Sequence, residues 1–299
     1  MEVFEVALKS GEVVKGAKWL VKNGKANYVF ITGMQEYATR YERLANYLNE
    51  KGINVWILDH LGQGLNAPKE DDLQKWPKDA FDKIVDALYL TILEAKKNGL
   101  PTVQGGHSMG SFTTQARLQK YPLAADKTLI IGSNGGQGGL MSIAYFLAKL
   151  LVHKSNWDKP SKFFYNLGLA PYNKAIKNPR TSVDWLSYNE ANVDAYVADP
   201  YLGHMNTSGF WKEFLKGMSK LWKKKNMQKV SKDEIIYITS GEDDPVGQNG
   251  KGVKWLLETY KKLGVKNVNL KLYPHMRHEI HNEDDYLSVY EDWANYILA

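Results

Sequence analysis

The 299-residue chain contains no cysteine, which excludes structural disulfides, a cysteine nucleophile and a thiolate metal site. It has no apolar run long enough to span a bilayer: Leu140 to Val152 is strongly apolar but short and carries Lys149, so it is expected to be a buried or substrate-facing helix. Met1-Glu2-Val3-Phe4-Glu5 lacks the basic and apolar regions of a secretory leader, and a cytoplasmic address is the expectation. Without such a leader, the sequon Asn206-Thr207-Ser208 reads as incidental. There is also no sustained interleaving of arginine and aromatics, so a nucleic-acid partner is not expected.

What is present describes a folded chain with a basic balance: 39 Lys and Arg stand against 33 Asp and Glu, a formal charge of +6. Much of that excess lies in Lys212 to Lys232, especially Lys223-Lys224-Lys225. The segment reads first as a solvated helix or connector, and second as a surface for an anionic partner, including peripheral contact with a membrane.

The most informative stretch is Gly105-Gly106-His107-Ser108-Met109-Gly110. A strand signal at Thr102 to Gln104 precedes it and a helix through Ser111 to Lys120 follows it. Gly106 and Gly110 flank Ser108 in a G-x-S-x-G pattern, in which any larger side chain would crowd a tight strand-to-helix turn.

Extended segments alternate with helical ones along much of the chain. Asn27 to Ile31, Ile53 to Leu58, Thr102 to Gln104, Thr128 to Ile131, Ile235 to Thr239 and Val268 to Tyr273 read as strands. Helical spacing follows in Tyr41, Leu44, Ala45 and Leu48, in Phe81, Ile84, Val85, Leu88 and Ile92, and in Tyr286, Val289, Tyr290, Trp293 and Ile297. Such alternation predicts a three-layer α/β sandwich around a mostly parallel sheet, with reactive loops at the strand C-terminal ends. From 132 to 226 the pattern breaks. Gly132 to Gly139 is glycine-rich without the spacing of a dinucleotide site, and the aromatic segments beyond it predict a helical cap inserted into a core of residues 1–131 and 227–299.

Two loops after strands supply partners for a serine nucleophile. His278 is preferred over His275 and His281 as the base, and Asp244 over the adjacent Asp243 as the carboxylate that orients it; sequence chemistry alone separates neither set. His60 reads as structural.

With Gly106-His107-Ser108-Met109-Gly110, Asp244-Pro245-Val246 and His278 before the last helix, the chain from Tyr28 to Trp293 resembles monoacylglycerol lipases and bacterial lysophospholipases in the serine-aminopeptidase-like group of the α/β-hydrolase superfamily. The resemblance implies a serine hydrolase that cleaves a carboxylic ester, a monoacylglycerol or lysophospholipid, through an acyl-serine, with no cofactor and no metal. It places the oxyanion donors at the amides of Met34 and Met109. Two departures stand out: Thr32 occupies the place of a customary histidine, and Gln63 that of another in Asp59-His60-Leu61-Gly62-Gln63-Gly64. A peptide hydrolase or aminopeptidase, with Glu36, Glu190 or Glu213 as amine anchor, and a noncatalytic lipid-binding protein are the competing readings.

Overall fold

The computed structural model describes residues 1–299. Eight strands form one sheet in the order β1-β2-β4-β3-β5-β6-β7-β8. β1 (Glu2–Ala7) and β2 (Val13–Trp19) are antiparallel additions at one edge. The remaining strands run parallel: β3 (Ala26–Ile31), β4 (Ile53–Leu58), β5 (Thr102–His107), β6 (Lys127–Ile131), β7 (Ile235–Gly241) and β8 (Asn267–Tyr273). β3, β4 and β5 are buried at every position, as expected of parallel strands covered on both faces.

Alternation along β3 divides the core in two. Val29 and Ile31 belong to the buried cluster to which α2 (Ala80–Ala95), α3 (Met109–Lys120) and α10 (Lys251–Lys262) contribute, whereas Tyr28 and Phe30 belong to that of α1 (Glu42–Glu50) and α11 (Tyr286–Leu298). The strand period of two delivers apolar side chains to both helical layers.

Between β6 and β7 the chain forms α4 (Gly138–Leu151), α5 (Lys162–Gly168), α6 (Ala170–Lys174), α7 (Glu190–Ala198), α8 (Ser208–Leu221) and α9 (Lys224–Met227). α8 buries Phe210, Trp211, Phe214, Leu215 and Met218. α4 meets its expectation as a buried or substrate-facing helix only in part: Leu140 and Met141, in its first turn, line an apolar cavity. Only Ala144 and Ala148 are buried on it, and Leu140, Ile143, Phe146, Leu150 and Leu151 are exposed. The small residues face α8 because they permit close approach, which turns most of the larger apolar residues outward.

No helix is long and apolar enough to cross a membrane. Asn206 of the sequon is fully buried, donating to Gln74 Oε1 at 2.7 Å and accepting from Gln35 Nε2 at 2.8 Å, so the folded chain offers no glycosylation acceptor there. Lys223, Lys224 and Lys225 are exposed to solvent.

Candidate active site

Ser108 sits alone between β5 and α3, at φ 55° and ψ −119°. Such a conformation costs a non-glycine residue about 1–3 kcal/mol, and the surroundings dictate it. The Ser108 amide donates to Ile131 O at 3.0 Å. A Cβ on Gly106 would lie 2.4 Å from Gly110 O, and one on Gly110 would lie 2.3 Å from Ile31 O and 2.5 Å from Thr32 O. Both glycines are therefore required by space, because strand, helix and the end of β3 converge at one corner.

β7 and β8 end beside this corner. Gly241 lets their exit loops touch: a Cβ there would lie 2.1 Å from Met276 O, and the Asp243 amide donates to that same carbonyl at 3.0 Å. Asp244, fully buried, accepts from Val246 N at 2.9 Å, Ser240 Oγ at 3.2 Å and His278 Nδ1 at 3.0 Å. Since a carboxylate only accepts, Nδ1 carries the proton and Nε2 is left as the basic nitrogen. Asp243 points away and accepts from Tyr188 Oη at 3.0 Å near the surface. His275 is exposed. His281 is buried and stacks on Tyr41, with ring centroids 5.0 Å apart.

Ser108 and His278 line one cavity of about 270 Å³. His278 Nε2 is buried without a hydrogen-bond partner, which leaves its lone pair free to take a proton within the cavity. Of the 29 residues lining the cavity, 17 are hydrophobic, so it favours an apolar ligand. They include Leu140, Met141, Leu167, Trp211, Phe214 and Met218. Trp185, from the segment between β6 and β7, places its ring 5.0 Å from that of His278. Asn134 and Gln137 put the glycine-rich stretch on the cavity rim. No group of three or more His, Asp or Glu side chains converges in metal-binding geometry.

Met34 and Met109 both line the cavity beside Ser108. The Met109 amide is the first of α3 and lacks an intrahelical acceptor. The Met34 loop is braced by residues whose part was not legible beforehand. Gln63 donates to Gly33 O at 2.9 Å and Glu36 O at 2.8 Å, and accepts from Gln35 N at 2.9 Å. Glu36 accepts from the Gly33 amide and from Tyr41 Oη.

His60 Nε2 donates to Thr32 O at 2.8 Å, which accords with a structural role. Burial disfavours its charged form and, against the partial opposition of the Thr32 bond, lowers its pKa from 6.5 to about 4. A neutral His60 thus stabilises the fold fully above the unfolded-state value, and this contribution is lost as pH falls from 6.5 towards 4. Between about pH 7.5 and pH 5 the loss should be roughly 2 kcal/mol. Urea unfolding at the two pH values checks this: H60Q should lose that much less stability than the wild type on acidification, and equal losses would refute the assignment.

A family model described as Hydrolase_4, serine aminopeptidase, S33, matches residues 22–285. The chain is 25% identical over 273 residues to a monoacylglycerol lipase of Mycolicibacterium smegmatis, covering 91% of this chain and 87% of that one. Among solved structures it resembles a highly thermostable carboxyl esterase from Bacillus coagulans in complex with glycerol, at 24% identity, TM-score 0.89 and full coverage of both chains (100% each). It also resembles a soluble variant of monoglyceride lipase from Saccharomyces cerevisiae in complex with a substrate analogue, at 20% identity and TM-score 0.73, over 99% of this chain and 94% of that one. The sheet order, the corner at Ser108 and the match over residues 22–285 lead to one conclusion: the chain belongs to the Hydrolase_4 family, serine aminopeptidase S33, of the α/β-hydrolases.

Proposed function

We propose that the protein is a serine-dependent carboxylic-ester hydrolase acting on a monoacyl lipid, a monoacylglycerol or lysophospholipid. The observation that carries this reading is the strained Ser108 at an apolar cavity that also holds His278, itself bound to the buried Asp244. Ser108 Oγ attacks the ester carbonyl carbon while its proton passes to His278 Nε2, and the Met34 and Met109 amides donate to the oxyanion. Collapse expels the alcohol, which takes the proton from His278, and leaves an acyl-serine. Water, deprotonated by His278, then releases the acid and restores Ser108. Residues 132–226 act as a helical cap that supplies most of the apolar wall.

The relatives named for monoacylglycerol or monoglyceride lipase activity support the substrate class. An aminopeptidase reading needs a free carboxylate for the substrate ammonium, and the site does not favour it. Glu36 and Glu279 line the cavity, but both are already engaged by Arg40. Of the other two amine-anchor candidates, Glu190 pairs with Arg180 and Glu213 with Lys216. The deciding experiment is a panel of 2-monoacylglycerols, lysophospholipids, short-chain nitrophenyl esters and aminoacyl amides, assayed with the wild type and S108A. Ester turnover that disappears in S108A is expected; preferential amide turnover would reject the lipid-ester reading.

The outward face of α4 supports peripheral contact with an anionic lipid surface. Ile143 is 63% exposed and Phe146 54%, and exposed Lys154, Lys159 and Lys162 follow in the adjoining segment. Apolar insertion and lysine attraction to anionic headgroups act in the same direction. I143D/F146D should lower turnover of monoacylglycerol dispersed in anionic vesicles by about tenfold or more, while a soluble short-chain ester is hydrolysed as before. Equal turnover of the vesicle substrate by variant and wild type would refute the contact.

A further inference from the structure

His107, inside the Ser108 pentapeptide, is buried and takes no part in the proton transfers above. Its two ring nitrogens face different loops. Nδ1 lies 3.3 Å from Glu36 Oε1 and 3.2 Å from Tyr41 Oη, and Nε2 lies 3.2 Å from the backbone carbonyl oxygen of His278. Tyr41 spends its own hydroxyl proton on Glu36 Oε1 at 2.7 Å, which leaves the tyrosine oxygen to accept. A carboxylate and a peptide carbonyl only accept. Every polar neighbour of the ring therefore calls for an N–H, one on each nitrogen, and a neutral imidazole has just one.

The charges around it are balanced for such a cation. Arg40 donates to Glu36 Oε2 at 3.0 Å and, through both terminal nitrogens, to Glu279 at 2.6 and 2.7 Å. Two carboxylates thus enclose two cations. Arg40 also reaches Asn192 on α7 at 3.2 Å, and Asn192 donates to Glu279 at 2.8 Å. The other titratable ring neighbours are His278, at a centroid distance of 4.6 Å, and His281, at 4.7 Å. Burial opposes a charge on His107, but the hydrogen bond and field of Glu36, aided by Glu279, outweigh it and hold its pKa above the ordinary value. Burial likewise opposes ionisation of Glu36, but His107 and Arg40 prevail and lower its pKa to about 2.

We infer that His107 is a positioning residue held as an imidazolium: one N–H fixes Glu36, which grips the Gly33 amide before the Met34 donor, and the other fixes the backbone of His278. The oxyanion loop and the histidine loop are thereby set in register by a single charged ring. The inference rests on the assignment of Ser108, His278 and the Met34 amide given above.

Its test starts with a measurement independent of turnover. Imidazole 15N NMR of the wild type at about pH 8, where an ordinary histidine has lost its second proton, should show both His107 nitrogens protonated. In E36Q the ring should be neutral at that pH. The alkaline limb of kcat/KM for a soluble ester should move down by about one pH unit or more in E36Q, a displacement that loosened packing alone would not cause. A neutral His107 in the wild type at about pH 8, or an alkaline limb unmoved in E36Q, would overturn the inference. If Ser108 were not the nucleophile, the NMR result could still hold while S108A kept its turnover, so the two failures are distinguishable.

Discussion

D244N should lower turnover of a short-chain ester by about 10⁴-fold, whereas D243N should change it by less than about threefold. The difference between neighbours is geometric. Asp244 is fully buried and accepts the His278 Nδ1 proton at 3.0 Å. An amide there can present its NH₂ group to Nδ1, which moves the imidazole proton to Nε2 and removes the base. Asp243 bonds only to Tyr188 near the surface, where its charge is screened and its loss leaves His278 oriented. Steady-state kinetics of the two variants, with circular dichroism to confirm folding, check the prediction. Comparable losses in both would mean that the acid has been misassigned.

G110A is expected to damage both folding and turnover severely for a single added methyl. The added Cβ would lie 2.3 Å from Ile31 O and 2.5 Å from Thr32 O. Neither oxygen can yield as a flexible side chain would, because both belong to the end of β3 that carries the Gly33–Met34 turn. The overlap should cost about 3 kcal/mol of stability and, by displacing the Met34 amide proposed as an oxyanion donor, lower kcat by about 10²-fold or more. G139A is the control. Its Cβ meets nothing within 4 Å, and it exchanges glycine for a better helix former at the start of α4. Thermal unfolding and kcat measured on both variants separate the local clash from a general intolerance of glycine replacement; similar behaviour of the two would contradict the packing argument.

The sheet was legible where burial on both faces leaves an uninterrupted apolar run, and Ile53 to Leu58 coincides with β4. β5 was legible only in part. Its last residues, Gly105, Gly106 and His107, have little strand propensity, and their pairing with β3 and β6 is a tertiary effect. α3 begins at Met109 rather than Ser111 because the Ser108 corner starts the helix at once. The outward turn of α4 depends on which stripe α8 covers, and apolar content alone does not reveal that.

For the candidate site, the strand-to-loop rhythm was sufficient to place Ser108, Asp244 and His278 after strands, and they follow β5, β7 and β8 in the fold. The braces were not legible in the same way. Glu36 and Arg40 show a helical i,i+4 spacing, but their partner Glu279 is 239 residues beyond Arg40. Gln63 reads as the loss of a histidine until its three hydrogen bonds to the Gly33–Glu36 turn are seen. Trp185 lies in an aromatic-rich segment where sequence offers no means of selecting the ring that meets His278.

The nucleophile is tested most directly by labelling the protein with a fluorophosphonate, digesting it and locating the adduct by mass spectrometry. One adduct per chain on Ser108, absent from S108A together with ester turnover, is the predicted result. An adduct on another residue, or an S108A protein that still hydrolyses esters at the wild-type rate, would contradict it.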